Sequence, residues 1–499
     1  MTLTNVIAIH HGIWYLGRVS WKDIKATRPL DNGQKYKTKG TTTATEVSMN
    51  TYPRLARLAG FASLLVGLAL LFSGTAFSSS DKGAGGSVLL TPFSRVALIG
   101  PIRDPVEADA KAKEVATAIA TYVASVNDTL PPTEFPANWI LGGLEGTVTS
   151  EKIEEAILRI PTPFPIDPEL PVSSTNRKKV NVVELCNPLF AQKALGVAPV
   201  VDGDPSTLIV NGYIHAPALP CEVAIYAEGR FIKVDMLNPE AIFTLFFTDV
   251  LFGEQMLDPD FAEAIQVLPV QVNDEIRTII SLALDTAGIK FREQSRPLGP
   301  RYTRLTQVAE TVAETPYQSP YVHFTYEKKQ GGDFSATDVT NIAASIITTL
   351  SLDGVHDPKL DAQLNMDDWR SARPAPLPIP GNLVIEACSP TNAIAAMGLG
   401  LEHATALPCE IAVKALNWDG VGGNEVLMIT YLDPHFMFSA LFSDAFKDLT
   451  EEELEAFLDL PPLVLEDLQT IVKFALKKDN LGYALTKPEQ VFFDMLPGL

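Results

Sequence analysis

Two heptapeptides, His215-Ala-Pro-Ala-Leu-Pro-Cys221 and His403-Ala-Thr-Ala-Leu-Pro-Cys409, agree at six of seven positions, and each ends on a cysteine six residues after a histidine. The other two cysteines, Cys186 and Cys388, stand upstream in matching settings, Val183-Glu184-Leu185-Cys186-Asn187-Pro188 and Ile385-Glu386-Ala387-Cys388-Ser389-Pro390. Three chemistries fit two thiols and an imidazole recurring as a set. An even cysteine count in an exported chain reads as a disulfide framework, here Cys186–Cys221 and Cys388–Cys409, because Cys186 ends a strand and Cys221 opens another. Two thiolates with His215 or His403 would make a soft Cys2His site for copper or zinc, with no recurring fourth ligand. A histidine beside a cysteine also depresses the thiol pKa and makes a nucleophile or redox couple. Buried free thiols and backbone-bonded loop imidazoles are the plain account of the same residues.

Other chemical signals are weaker. Glu451-Glu452-Glu453 after Thr450 reads as the acidic first turn of a helix rather than a cation site. Gly398-Leu-Gly400 lacks the third glycine and the strand-to-helix setting of a dinucleotide loop. Phe243, Phe246 and Phe247 form a stripe at helical spacing, which reads as core. Neither a catalytic pair of carboxylates nor a Gly-x-Ser-x-Gly or His-Glu-x-x-His motif is recognisable. No reaction is assigned.

The elements that position these residues are also written twice. Asn238-Pro239 followed by Phe243, Phe246 and Phe247 parallels Asp433-Pro434 followed by Phe438, Leu441 and Phe442, and Leu268-Pro269 parallels Leu460-Pro461. Four landmarks in one order identify a tandem duplication. In each copy a short apolar strand leads to a helix, capped by Asp104 before Pro105 in the first and by Ser335 in the second. Pro-rich connections (161–171 and 374–380) precede strands at 180–185 and 383–387. After each Leu-Pro-Cys, two strand segments separated by glycine turns read as a hairpin. Two helices close each copy. The expected order is strand, helix, strand, short helix, hairpin, helix, helix. That is an α+β unit, a mainly antiparallel sheet covered by helices on one face. The expected boundaries are 93–290 for the first repeat, 291–317 for a linker and 318–490 for the second repeat.

The chain of 499 residues carries a net charge of −21. That charge argues against nucleic acid as a partner, because phosphate binding needs a concentrated positive surface. Residues 58–77 are twenty residues without a charge, preceded by Arg54 and Arg57 and followed by small residues. This pattern predicts a signal peptide over 49–77, with 1–48 as an extension or cytoplasmic tail. The competing reading is an uncleaved anchor at 58–77. Either way the bulk is expected in the periplasm or cell envelope of a bacterium.

The Cys-Asn-Pro and Cys-Ser-Pro turns, the Leu-Pro-Cys strand entries and the Asn-Pro and Asp-Pro helix starts with their aromatic followers resemble the DUF302 family. The resemblance covers nearly all of residues 93–490. It implies two compact α+β domains able to pair as an internal pseudo-dimer, and it implies no activity. The leading expectation is an exported, non-enzymatic module that binds a small ligand or an envelope protein, with the cleft between the copies as its site. The alternatives are an envelope thiol-redox or copper/zinc-handling protein acting through the Cys/His sets, and a structural assembly subunit.

Overall fold

The computed structural model describes residues 91–478, with interruptions of which the longest are 196–214, 248–258, 301–319 and 417–425, and a last strand at 483–486. The expected leader at 49–77, its extension and the apolar run 58–77 lie outside the described residues. Among the described residues no helix is long and apolar enough to cross a membrane.

The first repeat runs β1 (Phe93–Ile99), α1 (Pro105–Asn127), β2 (Ile140–Leu141), α2 (Ser150–Ala156), β3 (Ile157–Pro161), β4 (Lys179–Cys186), α3 (Pro188–Ala194), β5 (Cys221–Glu228), β6 (Phe231–Leu237), α4 (Pro239–Phe246), α5 (Pro259–Thr286) and β7 (Phe291–Leu298). The second runs β8 (Tyr321–Lys328), α6 (Ala336–Leu350), α7 (Pro358–Asp361), β9 (Arg370–Ser371), β10 (Leu377–Ile379), β11 (Asn382–Cys388), α8 (Pro390–Leu399), a 3-10 turn (Leu401–Ala406), β12 (Cys409–Leu416), β13 (Val426–Leu432), α9 (Pro434–Leu441), α10 (Glu451–Leu458), α11 (Leu460–Lys478) and β14 (Tyr483–Thr486). Each repeat builds one seven-stranded antiparallel sheet. In the first, β4, β5, β6, β1 and β7 lie side by side, and both β2 and β3 pair with β4. In the second, β11, β12, β13, β8 and β14 repeat that order, with β9 and β10 both on β11.

Local chemistry explains the starts. Asp104 accepts from the Val106 amide at 2.8 Å, and Ser335 forms a capping box with Asp338. Asn187, Asn238, Ser389 and Asp433 each cap a helix whose first position is proline, where φ is already helical and no amide is lost. Thr450 forms a capping box with Glu453, so the acidic run is a helix start as expected.

Three expectations need correction. The second Pro-rich connection is not a plain loop, since Leu377–Ile379 within it is an edge strand, and in the first copy an edge strand, Ile157–Pro161, runs up to the start of the connection; proline is tolerated at a sheet edge. Two-residue strands, each preceded by a tryptophan, were not anticipated at 140–141 and 370–371. The expected linker begins with β7, which pairs with β1 from Phe93↔Leu298 to Ile99↔Phe291. Its mostly polar and exposed side chains carry no alternating apolar signal.

Strand alternation sorts each sheet into two faces. Val183, Leu185, Val223 and Ile225 join the core beneath α1 and α5, and Ile385, Ile411 and Val413 join the core beneath α6 and α11. The opposite faces are turned toward the other repeat. Val182, Ala224 and Tyr226 pack with Cys388, Met397 and Leu401. The aromatic stripe closes the same junction, with Phe246 centroids 5.3 Å from Phe436 and 6.3 Å from Tyr321.

Candidate functional site: a buried carboxylate and arginine cluster

The register places Glu184 of β4 directly opposite Glu222 of β5, and Glu386 of β11 directly opposite Glu410 of β12. All four lie on the face turned toward the other repeat, so two cross-strand pairs of like charges meet a second two. They are buried almost completely, at 0%, 2%, 2% and 6% exposure in that order. Like charges directly opposite in a sheet destabilise it, and an isolated carboxylate in a dry interior is costly. Their convergence therefore requires neutralisation.

One cation enters the cluster. The Arg373 guanidinium follows β9, is 2% exposed, and its Nε lies 3.3 Å from Glu386 and 3.5 Å from Glu184. Its Nη1 donates to the Ala156 carbonyl, so the side chain crosses from the second repeat into the first. The position is unique to one copy. β2 and β9 have the same register on their partners, Ile140↔Cys186 and Arg370↔Cys388, and the Gly142 and Ala372 amides donate to the Glu184 and Glu386 carbonyls respectively. Gly143 is thus the counterpart of Arg373. Gly143 has φ +75°, and a Cβ there would stand 2.6 Å from the Arg373 Cδ, while a Cβ on Gly142 would fall within the Glu184 carboxyl. Gly143 makes room for the Arg373 side chain and Gly142 for the Glu184 carboxyl.

Protons supply the rest of the neutralisation. Burial, followed by the neighbouring carboxylates, raises Glu184 well above the ordinary glutamate range, and the same causes raise Glu222. Burial also raises Glu410. Glu184 accepts no well-formed hydrogen bond at either carboxyl oxygen, its Oε2 meeting Arg373 only as a 3.5 Å ion pair, and Glu222 Oε1 accepts none either. The neutral acid is therefore the favoured form at Glu184, Glu222 and Glu410, and a protonated carboxyl can donate to a neighbouring one.

The cysteines do not form the expected bridges. All four are free. The register pairs Leu185 with Cys221 and Ala387 with Cys409, so Cys186 and Cys388 are one residue out of step and point to the opposite face from their intended partners. Cys388 packs in the junction and Cys409 against the outer core of the second repeat. Burial raises the thiol pKa of Cys186, Cys221, Cys388 (to about 12) and Cys409, the reverse of what a nucleophile or redox couple needs.

The histidines do other work than ligation. The His215 ring stacks on Phe247 at 4.2 Å and meets Tyr321 of the second repeat edge-on at 5.3 Å. His403 lies 4.3 Å from Phe442 and 5.4 Å from Phe93 of the first repeat, and its Nδ1 is 3.2 Å from the Ala396 carbonyl oxygen. Each imidazole is wedged between its own helix and a strand of the other repeat, away from a Cys2His geometry. Among the described residues no group of three or more His, Cys, Asp or Glu side chains is placed to hold a metal ion.

Other residues were overlooked. Trp139 donates from its indole to Glu275 at 2.6 Å, and Trp369 to Asp467 at 2.8 Å, one such bond in each copy tying the strand that leads to the cluster onto the last long helix. The four glutamates had a visible signal. Each occupies a matched strand position in both copies among apolar neighbours, where a charged residue is disfavoured. Their convergence was not readable, because it depends on how the two sheets face one another.

The expected cleft between the copies is filled by these side chains. An open cavity of about 560 Å3 lies instead on the outer surface of the first repeat, between α1 and the end of α5, lined by Lys113, Thr117, Thr121, Tyr122, Ala283 and Ile289 among others. Comparison with known proteins finds no matching family model, no matching curated protein and no matching solved structure.

Proposed function

We propose that the chain is an exported, non-enzymatic binding protein made of two DUF302-like repeats arranged as an internal pseudo-dimer, and that its ligand or partner meets the outer groove of the first repeat. The observation that supports this reading is a division of labour in exposure. The glutamates, cysteines and histidines that recur in both copies are buried in packing, whereas the open concavity is lined by small, hydroxyl and apolar side chains. Such a lining suits a small, partly apolar molecule with a few hydrogen-bonding groups, because concave apolar surface with sparse polar atoms is the usual form of a ligand site. Lys113, 3.2 Å from Glu154, supplies a charged rim.

The test is a thermal-shift screen of the purified chain against amino acids, short peptides, sugars and fatty acids, repeated on Thr121→Trp. Thr121 is exposed on α1 and lines the groove. A compound that raises the wild-type melting temperature and fails to raise that of Thr121→Trp supports the groove. Compounds that shift both proteins equally, or that the protein converts to product, overturn the reading.

A further inference from the structure

We propose that the junction between the two repeats is a proton-held latch: protons shared between Glu184 and Glu386 and between Glu222 and Glu410 hold the two sheet faces together, and their loss parts them. The proposal stands on geometry. Two carboxyls from each sheet meet in a dry interior with one guanidinium among them, whose Nε reaches Glu184 and Glu386, while Glu184 Oε1 and Glu222 Oε1 accept no hydrogen bond. A proton is the ligand that such a site lacks, since an opposed pair of carboxyl oxygens becomes a strong hydrogen bond once one of them is protonated. The asymmetry supports the same conclusion. A second arginine at position 143 would lower from three to two the number of carboxyls that protons must neutralise, and that position is instead a glycine that makes room for the one arginine present. The charge balance therefore depends on pH.

The groups that face the cluster are few. From β4 and β5 come Glu184, Glu222 and Cys186, and from β11 and β12 come Glu386, Glu410, Cys388 and Lys414. Arg373 enters from the turn after β9, and α2 contributes the Ala156 carbonyl. The thiols stay protonated across the working range because burial raises them too.

The direction follows from linkage. Glu184, Glu222 and Glu410 hold protons in the closed state at pH values where free glutamate has lost them. The closed state thus binds more protons, and rising pH favours the open one. Each retained proton changes the closed-to-open ratio about tenfold per pH unit, so three acting together change it about a thousandfold. Lys414, buried on the same face of β12 and pushed down to about 6 by burial, acts in the opposite direction. The difference between wild type and a variant lacking only the acids isolates the latch.

The experiment uses the full chain and the triple variant Glu184→Gln, Glu222→Gln, Glu410→Gln, whose amides imitate the protonated acids. Small-angle scattering and urea midpoints are recorded from pH 5 to 9. The expected result is a wild-type radius of gyration that grows with pH and a midpoint that falls relative to the variant, while the variant keeps a constant radius. A wild-type radius constant over the range, or a variant that expands in parallel with wild type, overturns the proposal. Should the triple variant fail to fold, Glu222→Gln alone is measured. Roughly a third of the relative pH dependence should then disappear, and an unchanged slope sinks the latch.

Discussion

At the scale of single residues, the pair Gly143 and Arg373 carries the most information. The two occupy the same place in the two repeats, yet one is a glycine with positive φ and the other a fully buried cation. Gly143→Ala adds a Cβ both in an unfavourable backbone region and against the Arg373 side chain. The expected cost is about 1–3 kcal/mol, read as a lower urea midpoint. Gly229, also at positive φ but with open space around it, is the control position, and its alanine variant should lose only the backbone part. The heptapeptide cysteines and histidines are legible as landmarks at this scale, but their spatial relation is not. Spacing along the chain places Cys186 near Cys221, but only the pairing register decides that their sulfurs lie on opposite faces.

Secondary-structure elements were largely readable because each has a local cause. Asn-Pro, Ser-Pro and Asp-Pro announce helix starts, and the capping bonds form as the residue types require. The α3 helix begins one residue after the strand bearing Glu184, held by the Asn187 side chain accepting from the Leu189 and Phe190 amides at 3.0 and 3.2 Å. Asn187→Ala should cost about 1 kcal/mol in chemical denaturation. Ser389→Ala in the second copy should cost a similar amount by the same mechanism. The elements that escaped notice, β2, β3, β9, β10 and β7, are short, proline-bearing or charged. What makes them strands is a neighbouring strand with free backbone groups, which no local pattern records.

For the whole molecule, the decisive feature is that each sheet has helices on one face and the other repeat on the other. Among the described residues, the face bearing Val182, Ala224 and Tyr226 packs against Cys388, Met397 and Leu401 of the other repeat. Expressed alone, residues 91–298 should self-associate, seen in light scattering as a mass that rises with concentration, because a large apolar face is left in water. A monodisperse monomer would show that the junction is dispensable. The duplication, the α+β class and the order of most elements were set by the chain itself, since repeated landmarks, caps and periodicity act over a few residues. The meeting of four glutamates with one arginine was decided by the tertiary structure alone. It arises from residues as far apart in sequence as 184 and 410, brought together by the packing of one sheet face on another, which also fills the space where a cleft was expected, while the register within each sheet sends the paired cysteines to opposite sides.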